Sequence, residues 1–263
     1  MMKPEVLVLK ADGINCDVET AHAFSEVGAQ PTTVHVNELI SGEQSLENFQ
    51  ILALAGGFSY GDDIASGRVL ANKLVTRFDD ELQTFADQGK PIIGICNGFQ
   101  VLVKSGLLPF GNLGQQTMTL TDNTSGRFES RWVDLMPQPS ACAFFQPRDF
   151  YDQPIPMHSA HAEGRFFTKP EYAAYLQRMY EDRQVVFTYA TPDGEPAAGY
   201  PDNPNGSLDG IAGICSPNGL TFGLMPHPER SFGAFHPDRL RTDVAREAGQ
   251  IIFSGMTNYA KEM

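Results

Sequence analysis

The chain has no long hydrophobic run. Its longest apolar stretches, such as Ile51–Ala55 and Ile92–Cys96, are strand-sized and fall far short of the roughly 18 residues that a membrane helix needs. Near the N-terminus Lys3, Lys10 and Asp12 bracket a four-residue apolar segment, Val6–Leu9, which excludes a secretory signal. Positive charge is scarce: 19 Lys and Arg face 32 Asp and Glu, a net charge of −13. Nucleic acid and anionic membrane surfaces both require a positive field, so neither is an expected partner. Cysteine is sparse too, with four residues at positions 16, 96, 142 and 215 and no close pair. A CxxC zinc site and a disulfide framework are thereby excluded; no metal is expected, and a cytoplasmic chain with reduced thiols is. The patterns GxGxxG and GxxxxGK[ST] are absent, so no nucleotide-phosphate cradle is expected.

What remains is ordinary globular material. At 263 residues and 41% apolar composition the chain is long enough to bury roughly 70–75% of its unfolded surface without a covalent staple. Its first hundred residues alternate strand and helix signals. Val6–Leu9, Thr33–Val36, Ile51–Ala55 and Pro91–Ile95 read as strands. Between them, Val18, Ala21, Phe24 and Val27 give an amphipathic helix from Asp17, with Gly28 as its cap. Leu70–Gln88 reads as one long surface helix stopped by Gly89, and Asn97–Ser105 as another before Gly106. Apolar strands without polar alternation are buried on both faces, which implies an α/β fold with a mostly parallel sheet flanked by helices.

After about residue 110 the texture changes. Ten of the 18 prolines fall between Pro137 and Pro204, so long helices are scarce there. Phe144, Phe145, Phe150, Tyr151, Phe166 and Phe167 are interleaved with them, which implies an ordered, loop-rich antiparallel excursion around 137–182 rather than a linker. Within it Thr168 and Glu171 have capping-box spacing ahead of a helix over Tyr172–Tyr180. Strands are expected at Gln116–Thr121, Phe128–Asp134 and Val185–Tyr189. Ile211–Cys215 and Leu220–Met225 bracket Pro217-Asn218-Gly219 as a hairpin, and Pro237–Tyr259 is helical in pattern. No internal repeat appears, and 1–263 reads as one domain carrying the excursion.

The sharpest local feature is Gly94-Ile-Cys96-Asn-Gly98, where an apolar strand meets a helix. Small residues on either side of a nucleophile let the chain turn sharply and leave the side chain exposed at the sheet edge. The same turn aims Cys96 at a helix N-terminus, which with a paired histidine favours the reactive thiolate; the plainer alternative is a small buried hydrophobe. The candidate base lies in Met225-Pro-His227-Pro-Glu229-Arg230. Pro228 biases His227 toward extended geometry, in which positions i and i+2 share a side, so Glu229 can orient the ring for Cys96. Alone, the pair would equally be an ordinary loop histidine beside a solvated glutamate. Gly56-Gly57 lets backbone approach a ligand, and an N–H there could pair with the Asn97 amide as an oxyanion hole; a tight turn is the competing reading. His158 and His161 lack a matching ligand cluster and read as satisfied polar or surface histidines. Cys16 lies in the loop after the first strand, where it could face a site, but packing is the default for a cysteine; Asn203–Ser207 reads as a turn.

At these residues the chain resembles the class I, triad-type glutamine amidotransferases, with a flavodoxin-like fold, and among them the glutaminase subunits of phosphoribosylformylglycinamidine synthase from purine biosynthesis. The matching pieces are GINCD at 13–17, GGFSYGDD at 56–63, GICNGFQVL at 94–102, the N-x-S-x-R-F-E pattern at 123–129, HAEG at 161–164, NPNGS at 203–207, IAGI at 211–214 and GLMPHPER at 223–230. They span nearly the whole chain in order. The resemblance implies that Cys96 attacks the side-chain amide of L-glutamine, forms a thioester and releases ammonia, with His227 as base and acid and Glu229 orienting it. It further implies oxyanion amides from Gly57 and Asn97 and a glutamine pocket lined by Gln100. The implied partners are a large ATP-using synthetase subunit and a small accessory subunit. ATP and Mg would be used on the synthetase, which converts formylglycinamide ribonucleotide to formylglycinamidine ribonucleotide, and no cofactor would sit on this chain. A methionine directly before the first strand is expected of a separate subunit rather than a piece of a fused synthase. Two departures stand out: the excursion is longer than in the common small bacterial subunits, and HAEG has alanine where a second glycine is usual. Two other classes remain, an elbow-type cysteine hydrolase and a catalytically silent module. Elbow hydrolases of the dienelactone kind place the acid before the histidine, whereas here His227 precedes Glu229; an unreactive Cys96 would mark the silent module.

Overall fold

A computed structural model describes residues 3–233 and 238–263. In chain order the elements are β1 (Glu5–Lys10), α1 (Asp17–Glu26), β2 (Gln30–His35), α2 (Val36–Ser41), β3 (Ile51–Leu54), α3 (Arg68–Arg77), α4 (Asp79–Asp87), β4 (Ile92–Ile95) and α5 (Asn97–Ser105). There follow β5 (Thr119–Thr121), β6 (Glu129–Pro137), β7 (Ile155–His161), β8 (Arg165–Phe167), α6 (Ala173–Glu181), β9 (Val185–Ala190), β10 (Ile211–Cys215), β11 (Thr221–Leu224) and α7 (Arg239–Lys261). The main sheet has the order β2-β1-β3-β4-β11-β10-β9-β6-β7. Its first five strands run parallel; β3 and β4 are the fully buried apolar runs, while the edge strand β2 is polar and largely exposed. From β11 onward neighbours alternate, and β10, β9, β6 and β7 extend the sheet antiparallel. β5 and β8 form a separate two-stranded ribbon.

Helices cover the sheet in pairs. Phe24 of α1 meets Phe253 of α7 edge-on at 4.9 Å, while α3 and α5 pack together against the parallel strands. The approach of α5 is close enough to demand glycine: a Cβ at Gly98 would lie 2.0 Å from the Leu54 carbonyl oxygen, and one at Gly94 2.6 Å from that of Gly98.

The proline-rich excursion is built into the same sheet. It supplies β7 to the edge, and Phe145 stacks on Phe187 at 5.7 Å and meets Phe150 and Phe222 edge-on at 5.4 Å each. That aromatic cluster explains why so many prolines are tolerated: side-chain burial, not helix propensity, orders the segment.

Four expectations are corrected. The helix over 70–88 is two helices, α3 and α4, broken at buried Phe78, with Asp79, Asp80 and Glu81 favouring the new N-terminus. In α1 the buried side is Asp17, Thr20, Ala23 and Phe24, leaving Val18 71% exposed; Asp17 is tolerated there because Lys10 pairs with it at 2.8 Å. The capping box at Thr168 does not form. Pro170 instead opens a short 3-10 turn that leads into α6, since its fixed φ suits a first helical position. The strand expected over Gln116–Thr121 shortens to β5. Of the expected C-terminal helix, Pro237 lies outside the described residues, and α7 opens after Asp238, whose carboxylate caps the Leu240 amide.

Candidate active site

Three strand ends converge on the site. β4 delivers Cys96, β3 delivers Gly56 and Gly57, and β11 leads to His227. Cys96 sits at the elbow between β4 and α5 with φ 52° and ψ −106°, a strained region for a residue with a side chain. Its amide is fixed to the Leu224 carbonyl at 2.9 Å, so the parallel ladder ends on the nucleophile candidate. Its sulfur faces the Ala160 carbonyl at 3.5 Å.

His227 is extended, at φ −108° and ψ 90°, as the following proline requires. Its amide donates to the His158 carbonyl at 2.8 Å, so the proline-rich excursion supplies the ledge that holds the imidazole. The chain then turns rather than continuing extended: Pro228 starts a 3-10 turn, and this turn, not strand alternation, brings Glu229 back. The Glu229 carboxylate Oε1 accepts from His227 Nδ1 at 2.6 Å, with both side chains at most 1% exposed. Burial opposes a charged ring, but Glu229 and then Cys96 outweigh it and hold the His227 pKa well above its usual value. Its Nε2 makes no well-formed hydrogen bond, though the sulfurs of Cys96 and Cys16 both come close enough to favour the protonated ring.

Gly56 is the floor of the site. A Cβ there would lie 2.9 Å from His227 Cε1, and 3.4 Å from both the Cys16 sulfur and Cys96 Cβ. Gly57 has φ +144°, a glycine conformation, and bridges Ile14. The bonds of that bridge run from the Asn15 amide to Gly56 and from the Phe58 amide to Gly13, so neither uses the Gly57 amide. The Asn97 amide stands at the start of α5, where helix N–H groups have no intrahelical acceptor. Neither amide is therefore committed to a backbone acceptor among the described residues. A cavity of about 220 Å³ opens above them, lined by Gly57, Cys96, Ala160, His227 and Arg230, with half-exposed Phe58 and Phe128 beside it.

Gln100 does not line this cavity. It is buried, its amide donates to the Glu163 carbonyl at 2.6 Å, and its oxygen accepts from the Asn97 side chain at 3.1 Å. Asn97 Nδ2 also donates to Asp62 at 3.1 Å. Behind them Glu163 accepts from the Ser66 amide and pairs with buried Lys104 at 3.6 Å. Burial lowers the Lys104 pKa against the pull of Glu163, and burial raises that of Asp62. This polar cage fixes the turn on which Cys96 and Asn97 stand.

His158 and His161 are satisfied polar groups, as expected. His158 accepts from Arg230 at 3.1 Å through Nδ1, and burial followed by the Arg230 charge lowers its pKa to about 4. His161 is buried between Asn123 and Asn205, the latter part of the Asn203–Ser207 turn. Its pKa falls to about 3, first from burial and then from the His227 charge. A histidine held neutral in the fold but free to protonate when unfolded loses stability as pH falls below its unfolded pKa of about 6.5. We expect urea midpoints to drop between pH 6.5 and 4, with His161 contributing up to about 1.4 kcal/mol per pH unit; a His161→Gln variant should show a shallower slope, and parallel slopes would refute the assignment.

Cys16, for which packing was the default reading, faces the site, and Arg230, which sequence reasoning gave no role, donates to its sulfur at 3.4 Å. The available signal was position, because Cys16 lies in the loop after a parallel strand, where α/β sites gather. Cys142 and Cys215 are buried elsewhere, and burial pushes the Cys142 thiol up to about 12.

An elbow cysteine beside a buried imidazole–carboxylate pair, at the ends of parallel strands, is the arrangement expected of the triad-type glutamine amidotransferases, and comparison with known proteins places the chain in that class. The family model of the CobB/CobQ-like glutamine amidotransferase domain matches residues 3–260. The phosphoribosylformylglycinamidine synthase subunit PurQ of Methanococcus maripaludis strain S2 is 44% identical over 95% of this chain and 91% of its own. That of Dehalococcoides mccartyi strain 195 is 42% identical over the full length of both. A chain in the structure of PurLQS from Thermotoga maritima is 32% identical and superposes with a TM-score of 0.71, covering 98% of this chain and 99% of that one. The chain belongs to the PurQ family of phosphoribosylformylglycinamidine synthase subunits.

Proposed function

We propose that Cys96, His227 and Glu229 form the catalytic triad of a glutaminase. In its complex this chain feeds ammonia to the conversion of formylglycinamide ribonucleotide to formylglycinamidine ribonucleotide in purine biosynthesis. The observation that carries this reading is the 2.6 Å His227–Glu229 pair set against Cys96 over the bare backbone of Gly56. The Cys96 thiolate attacks the side-chain amide carbon of L-glutamine, and the oxyanion is held by the Gly57 and Asn97 amides. His227, protonated, gives its proton to the departing nitrogen, which leaves as ammonia, and a thioester remains. Water then loses a proton to His227 and attacks the thioester, the sulfur departs as thiolate, and the freed carboxylic acid leaves as glutamate with its proton passing to solvent. The cycle closes with thiolate and imidazolium restored.

Ammonia released into neutral water becomes ammonium and stops being a nucleophile, so the product must pass directly to the partner. The partners are a large synthetase subunit, to which use of ATP and Mg is assigned, and a small accessory subunit. No helix among the described residues is long and apolar enough to cross a membrane, and four free, buried thiols suit the cytoplasm. Gln100 acts on glutamine through Asn97 rather than by contact.

A glutamine-mimicking electrophile tests the assignment. Mass should be added at Cys96, faster in the presence of the synthetase partner. Labelling at Cys16 instead would overturn the choice of nucleophile.

A further inference from the structure

Cys16 takes no part in the chemistry above, yet its sulfur lies against the same imidazole. One ligand atom each from Cys16, His227 and Glu229 lie within 4.8 Å of one another, and all three residues are buried. Glu229 Oε2 is buried with no hydrogen-bond partner, while Oε1 of the same carboxylate holds His227 Nδ1. Buried lone pairs left unpaired are costly. Thiolate, imidazole and carboxylate are the three side-chain ligand types that zinc accepts, at about 2.3 Å for sulfur and about 2.0–2.2 Å for nitrogen and oxygen. We propose that Cys16, His227 and Glu229 form a binding site for a zinc-class divalent cation, and that the bound ion takes the imidazole away from Cys96 and silences the glutaminase. The inhibitory half of this proposal rests on the reading of His227 as the base.

The sheet order favours a metal over a disulfide between Cys16 and Cys96. β3 separates β1 from β4, so the loops carrying the two cysteines stand about two strand spacings apart, roughly 9–10 Å. A disulfide needs Cα atoms within about 7 Å. Gly56, at the end of β3, lies between them and accepts from the Cys16 amide at 3.1 Å. The cation's ligands are Cys16, His227 and Glu229 and do not include Cys96, so it needs no such approach of the two cysteines. Arg230, which donates to the Cys16 sulfur and lines the cavity, is the group that gives way. On binding, the Cys16 thiol and the His227 imidazolium each lose a proton to solvent as the metal bonds form, and nothing is oxidised.

The test is zinc itself, added to the full chain without glutamine. Competition with a chromophoric chelator should show uptake of one ion per chain, weakened at least tenfold in Cys16→Ser. X-ray absorption of the zinc-loaded Cys96→Ala chain should retain a sulfur shell near 2.3 Å beside nitrogen and oxygen. Absence of stoichiometric uptake, unchanged affinity in Cys16→Ser, or a shell without sulfur in Cys96→Ala would each overturn the site. Should Cys16→Ser fail to fold, the absorption spectrum of the Cys96→Ala chain still decides. None of these readouts depends on glutamine turnover, so they stand or fall apart from the glutaminase assignment.

Discussion

Replacing Cys96 by alanine should lower glutamine-dependent turnover of the assembled complex by about 10^4-fold or more, the scale seen when a covalent nucleophile is removed. Turnover driven by added ammonium salts should stay within about twofold of wild type. The separation is expected because alanine keeps the Cβ. The backbone at φ 52° is as strained for alanine as for cysteine, so the elbow neither relaxes nor tightens. The contacts deleted are the sulfur's 3.5 Å approach to the Ala160 carbonyl and its approach to the His227 ring. Steady-state rates with either nitrogen source decide the matter. If both activities disappear together, Cys96 is structural and the covalent route is wrong.

Glu229→Gln should cost roughly 10^3- to 10^4-fold in glutamine-dependent kcat while leaving the chain folded. Its oxygen now accepts the Nδ1 proton at 2.6 Å, and both side chains are buried. An amide in that place has two ways to sit. With its NH2 toward the ring it forces the proton onto Nε2, so the imidazole cannot accept from Cys96 or from water. With its oxygen toward the ring the hydrogen bond survives, but the negative charge that offsets burial is gone and the raised His227 pKa falls. Either way the thiolate–imidazolium pair is lost near neutral pH, a penalty of the size known for neutralising a triad carboxylate. The rate of Cys96 alkylation across a pH series should fall in parallel. Retention of more than about a tenth of wild-type turnover would exclude Glu229 as the orienting group.

Much of this machinery was legible in the sequence because sterics left few alternatives. Gly94 and Gly98 flank Cys96 because Leu54 and the helix backbone come within contact distance of any side chain placed there, and Pro228 fixes His227 as extended. The parallel half of the sheet followed from strands with no polar alternation. The break at Phe78 was hidden, since either side of it carries good helical periodicity and only burial of the ring shows where the helix divides. The hairpin of β10 and β11 was legible, but the order of β9, β6 and β7 beyond it was hidden, because it is set by contacts between distant segments. For the same reason the cage of Asp62, Lys104 and Glu163 was invisible: three charged residues spread over a hundred positions look solvated until the fold encloses them. Cys16 beside His227 belongs to this group as well.

The ledge under His227 is one carbonyl, that of His158, carried on a strand from the proline-rich segment rather than by any of the signature stretches. Competence is thus divided between short, recognisable words and an unremarkable backbone atom elsewhere. A survey of genomes that scored only GICNGFQ and MPHPER would accept a shortened gene product missing the stretch between them, although its imidazole would have nothing to rest on.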